Sequence, residues 1–322
     1  MRLTSVLRTD VKRMAKNNKV IQLENIATTI AAQLAKQTGP AVTQYELACL
    51  VYQCLPNKKS TIAATKKQLE EVLKLLQQFH LIRPIEPFAE TRGYQLFGHE
   101  RSTAIELACS LDPFAYVSHL SAMEHYGLTD RFSQLVYLTR PKASEWAALA
   151  KAKMNRDLGQ QTENFLKLGY SKLIRPTFKK LSGITVHLLE RSNQGAFRTT
   201  AHSSLRVATI GRVFLDMLRE PALCGGLQHV VDMYTNHAKK YLPFVVDELN
   251  THGAPIDKVR AGYLLSEICK LDHPAFADWE KFAQRGGSRK LDPEAEFEPF
   301  FSDRWKLSIN LPSLLNNENT FE

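Results

Sequence analysis

The stretch TIAATKKQLEEVLKLLQQFHLIRPIEPFAETRGYQLF, Thr61 to Phe97, decides how the first third of the chain is read. Leu69, Val72, Leu73, Leu76 and Phe79 recur at three- and four-residue steps, which places them on one face of a helix. Thr65 followed by Gln68 has the form of a capping box and predicts that the helix begins there. Lys66, Lys67, Gln68, Glu71 and Lys74 then lie on the wet face, with two lysines in the first turn. The macrodipole already puts positive charge at that end, so cations there carry a cost that a phosphate backbone lying against the helix would offset. The second half leaves the helical period. Pro84 and Pro87 restrict its first strand to a sheet edge or to the strand's end, Arg92-Gly93 sits near the turn, and Tyr94 to Phe97 returns as a short strand. Helix then hairpin, with cations at the helix start and the hairpin tip, is the layout of a winged helix-turn-helix. A helix packed on a hairpin with solvated lysines fits the same residues.

The residues before this stretch choose between the two. Residues 3–16 place Leu3, Val6, Leu7, Val11 and Met14 at helical spacing among five cations, as a docked helix or as a basic arm along DNA. A helix from about Leu23 to Gln37 stops at Gly39-Pro40. Thr43 with Glu46 forms another capping box, opening a helix with Leu47, Leu50, Val51 and Leu55. The polar loop 56–60 brings Lys58 and Lys59 in front of the next helix. Helix, helix, helix, hairpin is the winged-helix order, so residues 1–100 are predicted as a winged-helix DNA-binding domain.

Charge agrees with a polyanion partner. The net charge of +9 is unevenly spread over 322 residues. Residues 1–100 hold 14 Lys/Arg against 8 Asp/Glu, and residues 140–206 hold 13 against 4. Residues 101–139 carry 2 against 4, and residues 207–322 carry 13 against 17, so two basic blocks are separated by an acidic patch. Uneven surface decoration is the plainer account. No apolar run approaches the ~20 residues of a membrane span, and the N-terminus lacks the apolar core of a signal peptide. Five scattered cysteines with no CxxC pair read as reduced core thiols. The expectation is a cytoplasmic protein without a metal.

Residues 101–322 form the second predicted domain, entered through a helix at 99–111 and the turn Asp112-Pro113. DPFAYVSHLSAMEHYGLTD (112–130) carries a short helix that Ser118 caps and Gly127 ends, and VYLTRP (136–141) ends a strand over Gln134–Arg140. Residues 143–169 read as helical, and Lys172–Phe178 and Ile184–Glu190 as strands joined by Ser182-Gly183. From Phe214 to Ile268 the pattern predicts four helices, with no fixed-period repeat. The 112–130 and 136–141 stretches resemble the AbiEi family, antitoxins of bacterial type IV toxin–antitoxin and abortive-infection systems. IGRVFLDMLREPALCGG (210–226) is similar to the family's helix and following turn. RGGSRKLDP (285–293) with RWKLSIN (304–310) is similar to its closing segment. The resemblance covers roughly residues 110–312, and none of these motifs is catalytic.

The class expected is therefore α+β: an N-terminal winged helix-turn-helix, then a mixed α/β antitoxin domain with a helical C-terminal part. The resemblance implies an antitoxin that counteracts a nucleotidyltransferase toxin, with no direct contact required, and that represses its own operon. Double-stranded operator DNA is the predicted partner. Lys66, Lys67 and Gln68 are placed in the major groove, and Lys58, Lys59, Lys74 and Arg92 on phosphates. A stand-alone regulator whose second domain senses or dimerises is the alternative. No cofactor and no catalytic residue is expected. Gly287-Ser288 before Asp292-Pro293-Glu294 imitates a nucleotidyltransferase site, but the gap is too short and Pro293 spoils the strand. His119 and His125, with Glu124 nearby, point to different faces of a helix, and Arg212 with Asp216 reads as a surface ion pair.

Overall fold

The computed structural model describes residues 21–54, 61–85, 93–131, 133–192, 196–201, 203–284 and 289–316. The expectations for residues 3–16, Lys58, Lys59, Arg92, Gly287 and Ser288 lie outside them. Helix α1 spans 21–34. It is followed by β1 (Ala41–Thr43), α2 (Gln44–Cys54), α3 (Ile62–Gln78), β2 (Ile82–Pro84), β3 (Gly93–Leu96) and α4 (Ala104–Leu111). Next come β4 (Tyr116–Val117), α5 (His119–His125), β5 (Leu135–Pro141), α6 (Ala143–Leu158) and α7 (Thr162–Lys167). Strands β6 (Lys180–Leu181), β7 (Ile184–Arg191), β8 (Phe197–Thr199) and β9 (Arg206–Ala208) precede a helical run. That run is α8 (Ile210–Arg219), α9 (Leu227–His252), α10 (Pro255–Gly262), α11 (Ala275–Glu280) and α12 (Pro312–Asn316). The chain is α+β. No described helix is long and apolar enough to cross a membrane.

Two compact units share these elements, and both are discontinuous. One comprises the described residues up to 115 with 141–184 and 201–205; the other comprises 116–140, 185–200 and the rest from 206. Where the sequence reading draws one boundary near residue 100, the units alternate along the chain, and the basic stretch 140–206 is divided between them.

In the first unit β3 lies between β1 and β2, antiparallel to both, with Val42 opposite Tyr94 and Arg83 opposite Gln95. Pro84 sits on the edge strand β2, where its missing N–H costs no ladder bond. The apolar stripes of α1 (Ile26, Ile30, Leu34), α2 (Leu47, Val51) and α3 (Leu69, Val72, Leu73, Leu76) meet in one core. That core also contains Trp146 and Met154 of α6, Phe165 of α7, and Tyr170. Phe165 lies edge-on to Tyr52 with ring centroids 5.4 Å apart, and stacks on Tyr170 at 4.9 Å. Trp146 donates its Nε1–H to Asp112 Oδ1 at 3.0 Å. The helical part of the basic stretch is thus built into the N-terminal core. Lys172–Phe178, expected as a strand, forms none; Pro176 has no N–H to give a ladder.

Local capping agrees in one place and departs in two. Thr43 and Glu46 form the expected reciprocal bonds at the start of α2, 2.8 Å from Thr43 N to Glu46 Oε2 and 3.2 Å from Glu46 N to Thr43 Oγ1. Helix α3, however, starts one turn before Thr65. Thr61 is its cap, accepting from Ala64 N at 3.3 Å, while Thr65 is buried inside the helix. Ser118 makes no side-chain cap to α5. Its Oγ instead accepts from Thr139 Oγ1 at 2.9 Å and meets His119 Nδ1 at 2.9 Å.

The second unit holds a sheet with strand order β7-β5-β4-β9-β8. β4 is antiparallel to β5 and parallel to β9, and β8 is antiparallel to β9. Two of the four expected helices are one: α9 runs 26 residues straight through Pro243. Helix α8 lies against α9, and the approach is close enough that a Cβ on Gly211 would stand 2.3 Å from the Phe244 carbonyl oxygen. Only glycine fits there. The Arg212–Asp216 pair is not on the surface. The two are 5% and 2% exposed and joined Nε to Oδ1 at 2.7 Å, because α8 is buried all round from Gly211 to Leu218. Burial pulls the Arg212 guanidinium pKa down, and Asp216, Tyr116 and Glu248 together leave it raised. The closing segment buries Trp305 over Gly262, with its Nε1–H on Ser266 Oγ at 3.0 Å.

Candidate nucleic-acid interface

Helix α3 owes its position to its apolar stripe, which leaves the opposite face in solvent. Lys66, Lys67 and Lys74 all lie on that exposed face, with Glu70 between them. None of the three lysines is in an ion pair among the described residues. Gln68 does not join them: it is half-buried on the flank of the helix, beside Leu69. Since Thr61 is the cap, Lys66 and Lys67 occupy the second turn, and the first turn is Ile62-Ala63-Ala64. The dipole penalty expected from two lysines at the helix start is correspondingly weaker, because the field falls off within one turn.

The N-terminal turn of α3 is also not open on all sides. A Cβ on Gly169 would come within 2.6 Å of Ile62 Cγ2, so the turn after α7 abuts it.

Beside the helix, β2 carries Arg83, exposed, which donates to Gln95 Oε1 at 2.6 Å. Gln95 is buried and gives its own Nε2–H to the His99 carbonyl at 2.6 Å. This pair of bonds holds a hairpin cation in a fixed place. Sequence reasoning passed over Arg83; its signal was position, the second residue of an edge strand. Residues 141–184 add nine Lys/Arg against three Asp/Glu to the same unit. Among the described residues, Lys153 pairs with Asp157 at 3.0 Å and Lys167 with Glu163 at 3.3 Å.

The acid–base candidates do not assemble. His119 is buried with one ring nitrogen on Ser118 and the other 3.1 Å from Glu220 Oε2, and Arg191 also pairs with Glu220. The His119 hydrogen bond holds the Glu220 carboxyl below its ordinary pKa, against the opposing effect of burial, with Arg191 assisting. Glu124 instead accepts from Ser133 N at 2.7 Å, and His125 is exposed. Asp292 caps its own turn, accepting from Glu294 N at 2.9 Å. No group of three or more His, Cys, Asp or Glu that could hold a metal occurs among the described residues. The Ser118–His119–Thr139–Glu220 network does join three of the stretches on which the family resemblance rests. Its hydrogen bonds tie α5 to β5 and to the turn after α8.

The chain superposes on the crystal structure of the RV2827C protein from Mycobacterium tuberculosis with a TM-score of 0.44 and 12% identity, over 92% of this chain and 95% of that one. That likeness is too distant to carry an argument. No family model matches the chain, and no curated protein matches it.

Proposed function

We propose that this chain is a non-enzymatic, cytoplasmic antitoxin of the AbiEi kind, which binds operator DNA through a winged helix in its first unit and counteracts a nucleotidyltransferase toxin. The observation that carries the DNA half is the outward display of Lys66, Lys67 and Lys74 on α3, next to the β2–β3 hairpin. The order α1-β1-α2-α3-β2-β3, with β3 central in the sheet, supports the winged-helix reading. Lysines set back from the first helical turn suit backbone contacts first, and base contacts second.

The antitoxin half rests on the sequence resemblance over roughly residues 110–312. The quoted stretches occupy fold-determining places: Asp112 receives Trp146, Glu220 receives His119, and Trp305 covers Gly262. Residues that specify a packed fold are what a non-catalytic family signature consists of. Growth of cells expressing the adjacent gene, alone and with the full-length chain, tests this half. Rescue is expected. Toxicity without rescue overturns the antitoxin reading and leaves a DNA-binding regulator.

A further inference from the structure

The first unit contains a groove that the DNA reading does not use. It has a volume of about 620 Å³ and lies along α6, α7 and residues 172–175. Its floor is a stripe of α6, Ala143, Ala147, Ala150 and Met154, with buried Trp146 beneath. The stripe recurs at helical spacing, and its small side chains let another backbone come close. The two walls are Leu166 and Ile174, 44% and 43% exposed. Large aliphatic side chains this exposed, facing one groove, lose free energy to water until something covers them. The rim carries two exposed cations, Lys151 and Lys172, and one acid, Glu163, which is itself paired with Lys167.

We propose that this groove docks an acidic amphipathic helix from another protein, its apolar side chains between Leu166 and Ile174 and its carboxylates on Lys151 and Lys172. Charge complementarity selects the occupant. The cationic rim repels a basic segment, and apolar walls with no exposed aromatic platform give nucleobases nothing to stack on. Apolar anchors at i, i+3, i+4 and i+7 match a groove laid along a helix. Docking here does not depend on whether α3 binds DNA.

The test uses the full-length chain and a fluorescein-labelled peptide of about 16 residues, with Leu at i, i+3, i+4 and i+7 and Glu between. Saturable binding by anisotropy is expected. Lys151→Glu with Lys172→Glu weakens it by about 10-fold or more, and Leu166→Ser with Ile174→Ser does the same. All four side chains are exposed, so an unchanged thermal melt in both double variants separates lost docking from lost folding. The inference is overturned if the peptide does not bind, if a version with Lys for Glu binds equally, or if neither double variant matters. It is also overturned if the serine pair weakens a double-stranded oligonucleotide instead, which assigns the groove to nucleic acid. Dimerisation that the serine pair abolishes, with no peptide binding, assigns it to a second copy.

Discussion

Replacing Lys66, Lys67 and Lys74 together with alanine probes the DNA-binding reading most directly. The three side chains are exposed on one face of α3, and removing them breaks no ion pair among the described residues. Alanine is at least as good a helix former as lysine, and surface changes of this kind alter stability by less than about 0.5 kcal/mol. Any lost binding then belongs to the interface. Each lysine on a phosphate releases counterions and contributes about 0.9 to the slope of log K against log salt, so three account for ~2.7. Between ~50 and ~200 mM salt, each such contact accounts for a loss of about 3.5-fold, and three for ~40-fold. The assay is fluorescence anisotropy with a duplex from the upstream region, titrated at four or more salt concentrations. The triple variant is expected to bind more weakly at every concentration and with the shallower slope. Equal slopes for wild type and variant would refute the placement of DNA on this face, whatever happened to affinity at one salt.

Three other perturbations follow from the packing. Gly262→Ala drives a Cβ to within 2.1 Å of the Trp305 ring, which is fully buried, so the ring must shift. A loss of about 1–3 kcal/mol is expected, read as a lower melting temperature with altered near-ultraviolet dichroism of tryptophan; an unchanged melt would show that the closing segment is not docked there. Burial raises the Glu248 carboxyl pKa despite the nearby His252 and Arg212. With the folded pKa above the unfolded one, its protonated form adds stability at low pH that is lost as pH rises through the folded value. Glu248→Gln should therefore raise the melting temperature at neutral pH, with the gain shrinking as pH falls below the ordinary carboxylate range; a gain that grows on acidification contradicts the sign. Finally, a fragment of residues 1–100 lacks Trp146, Met154, Phe165 and Tyr170 from its core. Urea unfolding of that fragment should be non-cooperative, whereas a cooperative transition would show that α6 and α7 are dispensable.

What the sequence determined by itself was local. The apolar steps of α3 from Leu69 to Leu76, the Thr43–Glu46 box and the turn at Ser182-Gly183 were legible because each rests on neighbours within one or two turns; Phe79, read on the same apolar face, is instead the exposed C-cap of α3. In that turn Ser182 and Gly183 have φ of 47° and 79°, a conformation glycine adopts without strain. The start of α3 was misjudged by one turn because Thr61 and Thr65 both offer a hydroxyl, and only the packing of Thr65 into the core decides between them. Arg212 and Asp216 look the same on paper whether their helix face meets water or α9. The apolar clusters around Val230 and Val245 were read as two helices, and α9 carries both in one run. The lysines of the candidate site were visible, since an amphipathic helix declares its wet face, while Arg83 gained its fixed place only through buried Gln95. Tertiary structure alone decided that residues 141–184 complete the N-terminal core. The contacts that join Tyr45 and Tyr52 to Asp157 and Gln161 span 112 and 109 residues of chain. Periodicity reports which face of a helix is apolar, and chain folding decides what that face is buried against.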